Sequence, residues 1–141
     1  MSSMNIAEQI NQTIEDIWIQ LEKKERAYTN FKLNNQQYVL LTLIIRHPFS
    51  TPTDLAEKMD ISKSAVSQQL AKLEKEGYVI RKQHAEDKRT FSVGLGEKGL
   101  LYQKEMEAFN QHISEKYYAN VSSAEMKNML SALQKLRELL E

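Results

Sequence analysis

Apolar residues recur at steps of three and four along most of the chain, which predicts a mainly helical protein. The first stripe predicts a helix from Ile6 to about Tyr28. A second helix is predicted from a capping residue at Asn34 to His47, before Pro48. The interior of this second helix is nearly all apolar, so we expect it to be buried.

Two long helices with one apolar face each are predicted in the C-terminal part. Their stripes are Tyr102, Met106, Phe109, Ile113 and Tyr117, and then Met126, Met129, Leu133, Leu136 and Leu140. A capping box, Ser122-x-x-Glu125, precedes the last helix. Because these faces and that of the first helix need cover, a second copy of the chain is the simplest partner.

The middle of the chain predicts two short helices joined by a tight turn. Thr51 and Pro52 begin a helix that runs to Met59, and Ser62 caps the next one after the turn at residues 60–62. The second of these helices directs Val66, Leu70 and Leu73 inward until Gly77 ends it. This arrangement is a helix-turn-helix.

A change to period-two alternation predicts a hairpin after Gly77. Phe91, Val93 and Leu95 alternate with Thr90, Ser92 and Gly94, a pattern typical of a half-buried strand. Residues 78–84 are its expected antiparallel partner, and 85–89 the polar loop of the wing. The predicted fold class is mainly α with a small β-hairpin wing. We expect a single domain over 1–141, with a winged helix-turn-helix unit at 33–95 and dimerisation helices at 5–30 and 97–141.

The amino-acid composition indicates a folded globular protein without thiol chemistry. Hydrophobic residues make up 41% of the 141 residues and charged residues 27%, as in a folded globular domain. The absence of cysteine excludes disulfides and thiolate chemistry. No export signal or spanning segment is expected, so we expect a cytoplasmic protein. The net charge of zero is weak evidence against a nucleic-acid partner, because DNA affinity that is independent of sequence comes from lysine and arginine neutralising phosphates. Residues 62–90, however, hold seven cationic and four anionic side chains, a local charge of +3.

The candidate DNA-binding residues lie on the second helix of the helix-turn-helix and on the wing. In such proteins this recognition helix enters the major groove, where glutamine pairs with adenine and lysine meets phosphate or guanine. A wing arginine can enter a narrow minor groove. The alternative is that both segments are merely solvated. The candidates are Ser62, Lys63, Ser64, Ser67, Gln68, Lys72, Asp87, Lys88 and Arg89.

The residues from about Leu33 to Gly99 resemble the multiple antibiotic resistance regulator family, written MarR. The matching segments are Leu55-Ala56, Ile61 to Ser67, Leu73 to Val79 with Arg81, Asp87-Lys88-Arg89, and Leu95 with Gly99. The resemblance implies a dimer with interlocked terminal helices, one recognition helix per subunit and a wing arginine at Arg89. The sequence departs from the family pattern at Asp60, Gln68 and Gly96, where glycine, arginine and a capping threonine are usual.

Three other features of the sequence are weaker indications of function: a glycine motif, the histidines and the aromatic residues. Residues 94–99 match the G-x-G-x-x-G phosphate fingerprint, but a helical stripe follows where a dinucleotide fold needs a parallel strand. His47, His84 and His112 form no metal motif, so no metal or cofactor is expected. Seven aromatic residues could line an effector cavity but are more typical of core: Trp18, Tyr28, Phe31, Tyr38, Phe49, Tyr102 and Phe109.

The expected function is therefore a DNA-binding transcriptional regulator. We expect a repressor that binds a pseudo-palindromic operator as a homodimer, with release by a small-molecule effector as a further hypothesis. The alternative is a winged-helix protein-docking module without DNA binding, since fold does not dictate function. No enzyme is expected, because no nucleophile–base pair can be assembled.

Overall fold

The computed structural model describes residues 3–84, 86 and 90–141. Its elements, in chain order, are α1 (Ile6–Tyr28), α2 (Asn35–Arg46), α3 (Pro52–Met59), α4 (Lys63–Lys75), β1 (Val79–Gln83), β2 (Phe91–Leu95), α5 (Glu97–Lys116), a 3₁₀ turn (Tyr118–Asn120) and α6 (Ser123–Leu140). The predicted fold class, mainly α with a β-hairpin wing, is confirmed.

The chain forms two compact units, Met1–Met106 and Glu107–Glu141. The predicted single domain, with its DNA-binding unit and dimerisation helices, stays a prediction. Among the described residues, no helix is both long and apolar enough to cross a membrane.

Side-chain caps fix where the helices begin. Asn34 Oδ1 accepts a hydrogen bond from the Gln37 amide at 2.8 Å, and Gln37 in turn caps the Asn34 amide. Thr51 and Asp54 cap α3 in the same reciprocal way, and the Ser62 hydroxyl caps α4 through the Ala65 amide at 3.1 Å. These predicted starts are confirmed. At α6 the Ser122 hydroxyl donates to the Glu125 carboxylate at 2.8 Å and accepts from the Glu125 amide.

The hydrophobic core of the first unit lies between α2, α3, α4, the hairpin and the first turns of α5. Its members are Leu40, Leu41, Ile44, Leu55, Ala56, Val66, Leu70, Leu73, Tyr78, Val79, Val93 and Tyr102. The expectation that α2 is buried holds on one side only. Tyr38 and Val39 are each 40% exposed, because only one face of the helix is directed at this core.

The β2 strand is covered on both faces, so the predicted half-buried alternation is wrong. β1 and β2 are antiparallel, with Arg81 opposite Val93. Ser92 and Gly94 are buried together with Val93. The segment before α3 explains the difference, since Phe49 donates to the Val93 carbonyl at 3.1 Å and the Phe49 ring lies over Gly94.

The apolar faces of α1 and α6 are exposed in the single chain. On α1 no residue is buried, and Ile6 and Trp18 are 74% and 56% exposed. On α6 no residue is buried either, and Leu130 and Leu140 are 58% and 79% exposed. Exposed apolar faces of this extent are typical of surfaces that bind another protein chain.

Candidate nucleic-acid interface

One face of α4 anchors the helix and thereby orients the other. Val66, Leu70 and Leu73 are at most 2% exposed and pack into the core. Asp60 makes the preceding turn in the left-handed region, at φ 53° and ψ 46°, which asparagine, aspartate and glycine adopt most readily. Gly77 ends the segment at φ 85°. The polar side of α4 is therefore held outward.

All six candidate residues of this segment are exposed to solvent. They are Ser62, Lys63, Ser64, Ser67, Gln68 and Lys72. Successive positions at spacings of three and four bring Ser64, Ser67 and Gln68 together on one surface of the helix, with Lys72 one turn further on. This surface presents hydroxyl, amide and ammonium groups, which are the groups that read base edges and phosphates.

The three candidates of the wing, Asp87, Lys88 and Arg89, lie outside the described residues. The hairpin is described on both sides of them, where the His84 amide donates to the Thr90 carbonyl at 3.3 Å. Their role in DNA binding stays a prediction.

Two tertiary contacts of α4 were not predicted. Asn34 Nδ2 donates to Gln69 Oε1 at 3.4 Å, which ties the start of α2 to the side of α4. Glu74 pairs with Arg81 at 2.7 Å, so one cation of the locally basic segment already has an anionic partner. Each contact joins separate elements, so helical periodicity could not have found either.

The glycine fingerprint serves close packing of the chain against itself. The Gly96 amide donates to the Tyr78 carbonyl at 2.9 Å, and the Lys98 amide donates to the Gly77 carbonyl at 3.1 Å. A Cβ at Gly96 would lie 2.5 Å from the Gly77 oxygen, and one at Gly99 would overlap the Tyr78 oxygen. The amides at the start of α5 are thus engaged by backbone carbonyls. This also explains how α5 begins without the capping threonine usual in the family.

The seven aromatic residues fall into different environments. The Phe31 ring lies edge-on to Tyr102, with centroids 5.2 Å apart, and to Tyr78 at 6.2 Å. Phe49 packs on the hairpin, and Trp18 is exposed. Phe31 and Tyr102 are thus in ring contact beside the core of the first unit.

A carboxylate and two phenols are electrostatically linked beside these rings. Burial raises the pKa of the Glu25 carboxyl, and the charge of Glu22 raises it further. Burial, followed by the charge of Glu25, raises the pKa of Tyr38. The pKa of Tyr102 is raised by burial and then by Tyr38 and Glu25. The charge of Glu25 thus adds to burial in raising the pKa of both phenols.

Within the described part of the chain, no group of three or more histidine, cysteine, aspartate or glutamate residues could hold a metal ion.

The helix-turn-helix, the hairpin and the exposed polar face of α4 define the chain as a winged helix-turn-helix protein. The sequence model of the MarR family matches residues 33–91. The HTH-type transcriptional regulator YwhA of Bacillus subtilis is 28% identical over 75% of this chain and 76% of its own length. A Bacillus cereus HTH-type transcriptional regulator is 38% identical over 49% of this chain, and that match spans 45% of the relative, less than half.

Solved structures of low sequence identity share the fold. Streptococcus pneumoniae FabT in complex with DNA has a TM-score of 0.78 at 22% identity, covering 95% of this chain and 96% of FabT. A MarR family protein from Bacillus stearothermophilus has a TM-score of 0.75 at 21% identity, covering 98% and 99%. Streptomyces coelicolor PcaV, in complex with its natural ligand, has a TM-score of 0.70 at 13% identity, with full coverage of both chains.

Over residues 33–91 the chain is therefore similar to the MarR family. The matching curated relatives carry the name of transcriptional regulators, which are not a class of enzyme.

Proposed function

We propose that two copies of this chain bind one double-stranded DNA site. In each copy α4 lies in the major groove, and the hairpin loop at 84–90 reaches the adjacent minor groove. The observation that carries the proposal is the exposed polar face of α4, which is anchored by buried Val66, Leu70 and Leu73. Five candidates on this helix and its N-cap Ser62 are exposed to solvent. Two-fold symmetry then implies a pseudo-palindromic site with half-sites about one helical turn apart.

Each candidate residue has a distinct expected role. Gln68 pairs with adenine, Ser64 and Ser67 contact base edges or phosphates, and Lys63 and Lys72 neutralise phosphates or meet guanine. Ser62 caps α4 with its hydroxyl and also contacts the DNA backbone. On the wing, Arg89 enters the minor groove and Lys88 meets phosphate, while Asp87 flanks them.

The exposed apolar faces of α1 and α6 support dimerisation. A charge in the middle of either face should oppose burial against a second copy, because an unpaired buried charge is costly. We expect Leu133→Asp to shift the protein from dimer to monomer in sedimentation velocity. Because Lys127 is an exposed polar residue of the same helix, Lys127→Ala should leave the dimer intact. A strictly monomeric wild-type protein would overturn the two-fold arrangement.

DNA binding is tested by selecting bound fragments from genomic DNA and measuring their affinity by fluorescence anisotropy across a salt series. Affinity should fall steeply with salt, since phosphate neutralisation releases counterions. Gln68→Ala should relax base preference by ~1–3 kcal/mol at one position, whereas Arg89→Ala should weaken binding to all sequences. Lys127→Ala is the matched control outside the proposed interface.

The proposal has three further parts: location, direction of regulation and release from DNA. We place the regulator in the cytoplasm with its DNA, and we expect it to repress, which a promoter–reporter fusion with and without the protein tests directly. Release by a small molecule is supported by the ring contact between Phe31 and Tyr102 and by the electrostatic coupling of Tyr38 and Tyr102 to Glu25. A pull-down that enriches a protein partner, with no DNA selected, would instead favour a docking module.

A further inference from the structure

The side chain of Arg81 connects three parts of the proposed DNA-binding unit. Arg81 Nε lies 2.7 Å from Glu74 Oε2, in the last turns of α4. The guanidinium carbon lies 4.5 Å from the centroid of the Phe91 ring. Phe91 is the first residue of β2, directly after the loop that carries the candidate wing residues. One side chain of β1 therefore contacts both the recognition helix and the returning strand.

Strand geometry directs Arg81 to the inner face of the hairpin. Arg81 lies opposite Val93 and shares its face with Val79, and these two valines are only 1% and 2% exposed. The neighbours Ile80 and Lys82 belong to the outer face, where Ile80 is 52% exposed and the Lys82 ammonium lies 5.3 Å from the Phe49 ring centroid. The Arg81 guanidinium is thus directed towards α4 at the edge of the core.

We propose that Arg81 is a positioning residue that fixes the hairpin against the recognition helix and thereby raises DNA affinity. The inference rests on the proposed function. A planar guanidinium can pair with a carboxylate at its edge while its face lies on an aromatic ring, which an ammonium group cannot reproduce. Because α4 and the wing must engage neighbouring grooves together, a hairpin held in place before binding lowers the ordering cost of the complex.

The solvent exposure of Arg81 and Glu74 limits how much their contact can contribute to DNA affinity. The side chains of Arg81 and Glu74 are 42% and 41% exposed, so solvent screens the pair and its contribution is modest. We expect Arg81→Ala and Glu74→Gln each to weaken binding by about three- to fivefold. The double variant should be no weaker than Arg81→Ala alone, because either change already breaks the contact.

If Arg81 instead contacts a DNA phosphate directly, the two variants should behave differently. Glu74→Gln would then release the arginine and tighten binding, and Arg81→Ala would lower the salt slope by about 0.9 per subunit. A positioning role leaves the salt slope unchanged in both variants. Anisotropy with a duplex selected by the wild-type protein, measured at several salt concentrations, separates the two.

Neighbouring residues supply matched controls for the changes in charge. Glu76→Gln removes one exposed negative charge two positions from Glu74 and should not weaken binding. Lys82→Ala removes one positive charge from the outer face of the same strand. If Lys82 contacts phosphate, this variant lowers the salt slope, which Arg81→Ala should not do.

Hydrogen–deuterium exchange provides a readout that needs no DNA. Arg81→Ala and Glu74→Gln should both speed exchange of the β1 and β2 amides about threefold or more, whereas Glu76→Gln should not. Exchange that stays at the wild-type rate in both variants overturns the proposal, as does tighter binding by Glu74→Gln. If the wild-type protein selects no DNA, the proposed function and the effect on affinity fail together, while faster exchange would still establish the contact between hairpin and helix.

Discussion

Replacing Gly99 by alanine would place a methyl group against the backbone of the same chain. The added Cβ would overlap the Tyr78 carbonyl oxygen and approach Leu95 Cδ2 to 3.0 Å. The oxygen belongs to the backbone at the junction of α4 and β1, so no side-chain rotation can make room. The start of α5 would have to move away from that junction.

The sign of the stability change distinguishes this arrangement from an ordinary helix. Glycine to alanine inside a helix normally stabilises by about 1 kcal/mol. Here the shift would stretch the hydrogen bonds Gly96 N–H to Tyr78 O (2.9 Å) and Lys98 N–H to Gly77 O (3.1 Å), each worth about 1 kcal/mol. Overpacking adds a further ~1–3 kcal/mol. After subtracting the gain in helix propensity, we expect a net loss of about 2–4 kcal/mol.

Urea unfolding followed by circular dichroism, at one fixed protein concentration, measures this difference. Asn110→Ala on the exposed side of α5 is the control and should be neutral or slightly stabilising, since it changes helix propensity alone. If Gly99→Ala stabilises the protein, the close approach of α5 to Tyr78 is refuted. The glycine fingerprint would then need another explanation, and a nucleotide titration would be the next measurement.

Three further predictions concern the helix-turn-helix. Asp60→Gly should raise the free energy of unfolding in urea by ~0.5–1 kcal/mol, because glycine adopts the positive φ of 53° found at Asp60 without strain. A lower free energy of unfolding would mean that the aspartate side chain stabilises the turn by more than the backbone strain costs. Hydrogen bonds from the backbone amide and hydroxyl of Thr51 lower the pKa of the Asp54 carboxyl below its ordinary value of 3.8. The ionised Asp54 carboxylate therefore stabilises the fold above pH 3.8, and this stabilisation is lost as the pH falls through the lowered pKa. An NMR titration should show this, and Asp54→Asn should flatten the acid limb of stability. Leu70→Ala should cost ~2–5 kcal/mol because Leu70 is 2% exposed, whereas Ala71 on the outer side should tolerate serine.

The helices and their starts could be predicted because their causes are local. Asn34, Thr51 and Ser62 cap the amides three residues ahead, and Gly77 ends α4 by adopting positive φ. The outward face of α4 follows from the spacing of Val66, Leu70 and Leu73, since a helix places residues three and four apart on one side.

Contacts between distant segments could not be predicted in this way. Nothing near Phe49 indicates that it covers the outer face of β2, so the strand was expected to be half exposed. The pairing of Glu74 with Arg81 and of Asn34 with Gln69 likewise depends on how separate elements are placed in space. The short glycine pattern at 94–99 was ambiguous until the structure placed Gly96 and Gly99 against the Gly77–Tyr78 backbone.

By itself, the sequence determined which segments are helical, where they begin, and which polar residues α4 directs outward, because periodicity and capping act within a few residues. Only the tertiary structure decided which residue covers β2 and which carbonyls accept hydrogen bonds from the amides at the start of α5. It also decided that Arg81 is the cation of the basic segment that pairs with Glu74. Those outcomes depend on close approaches between residues far apart in the chain, and no local pattern encodes them.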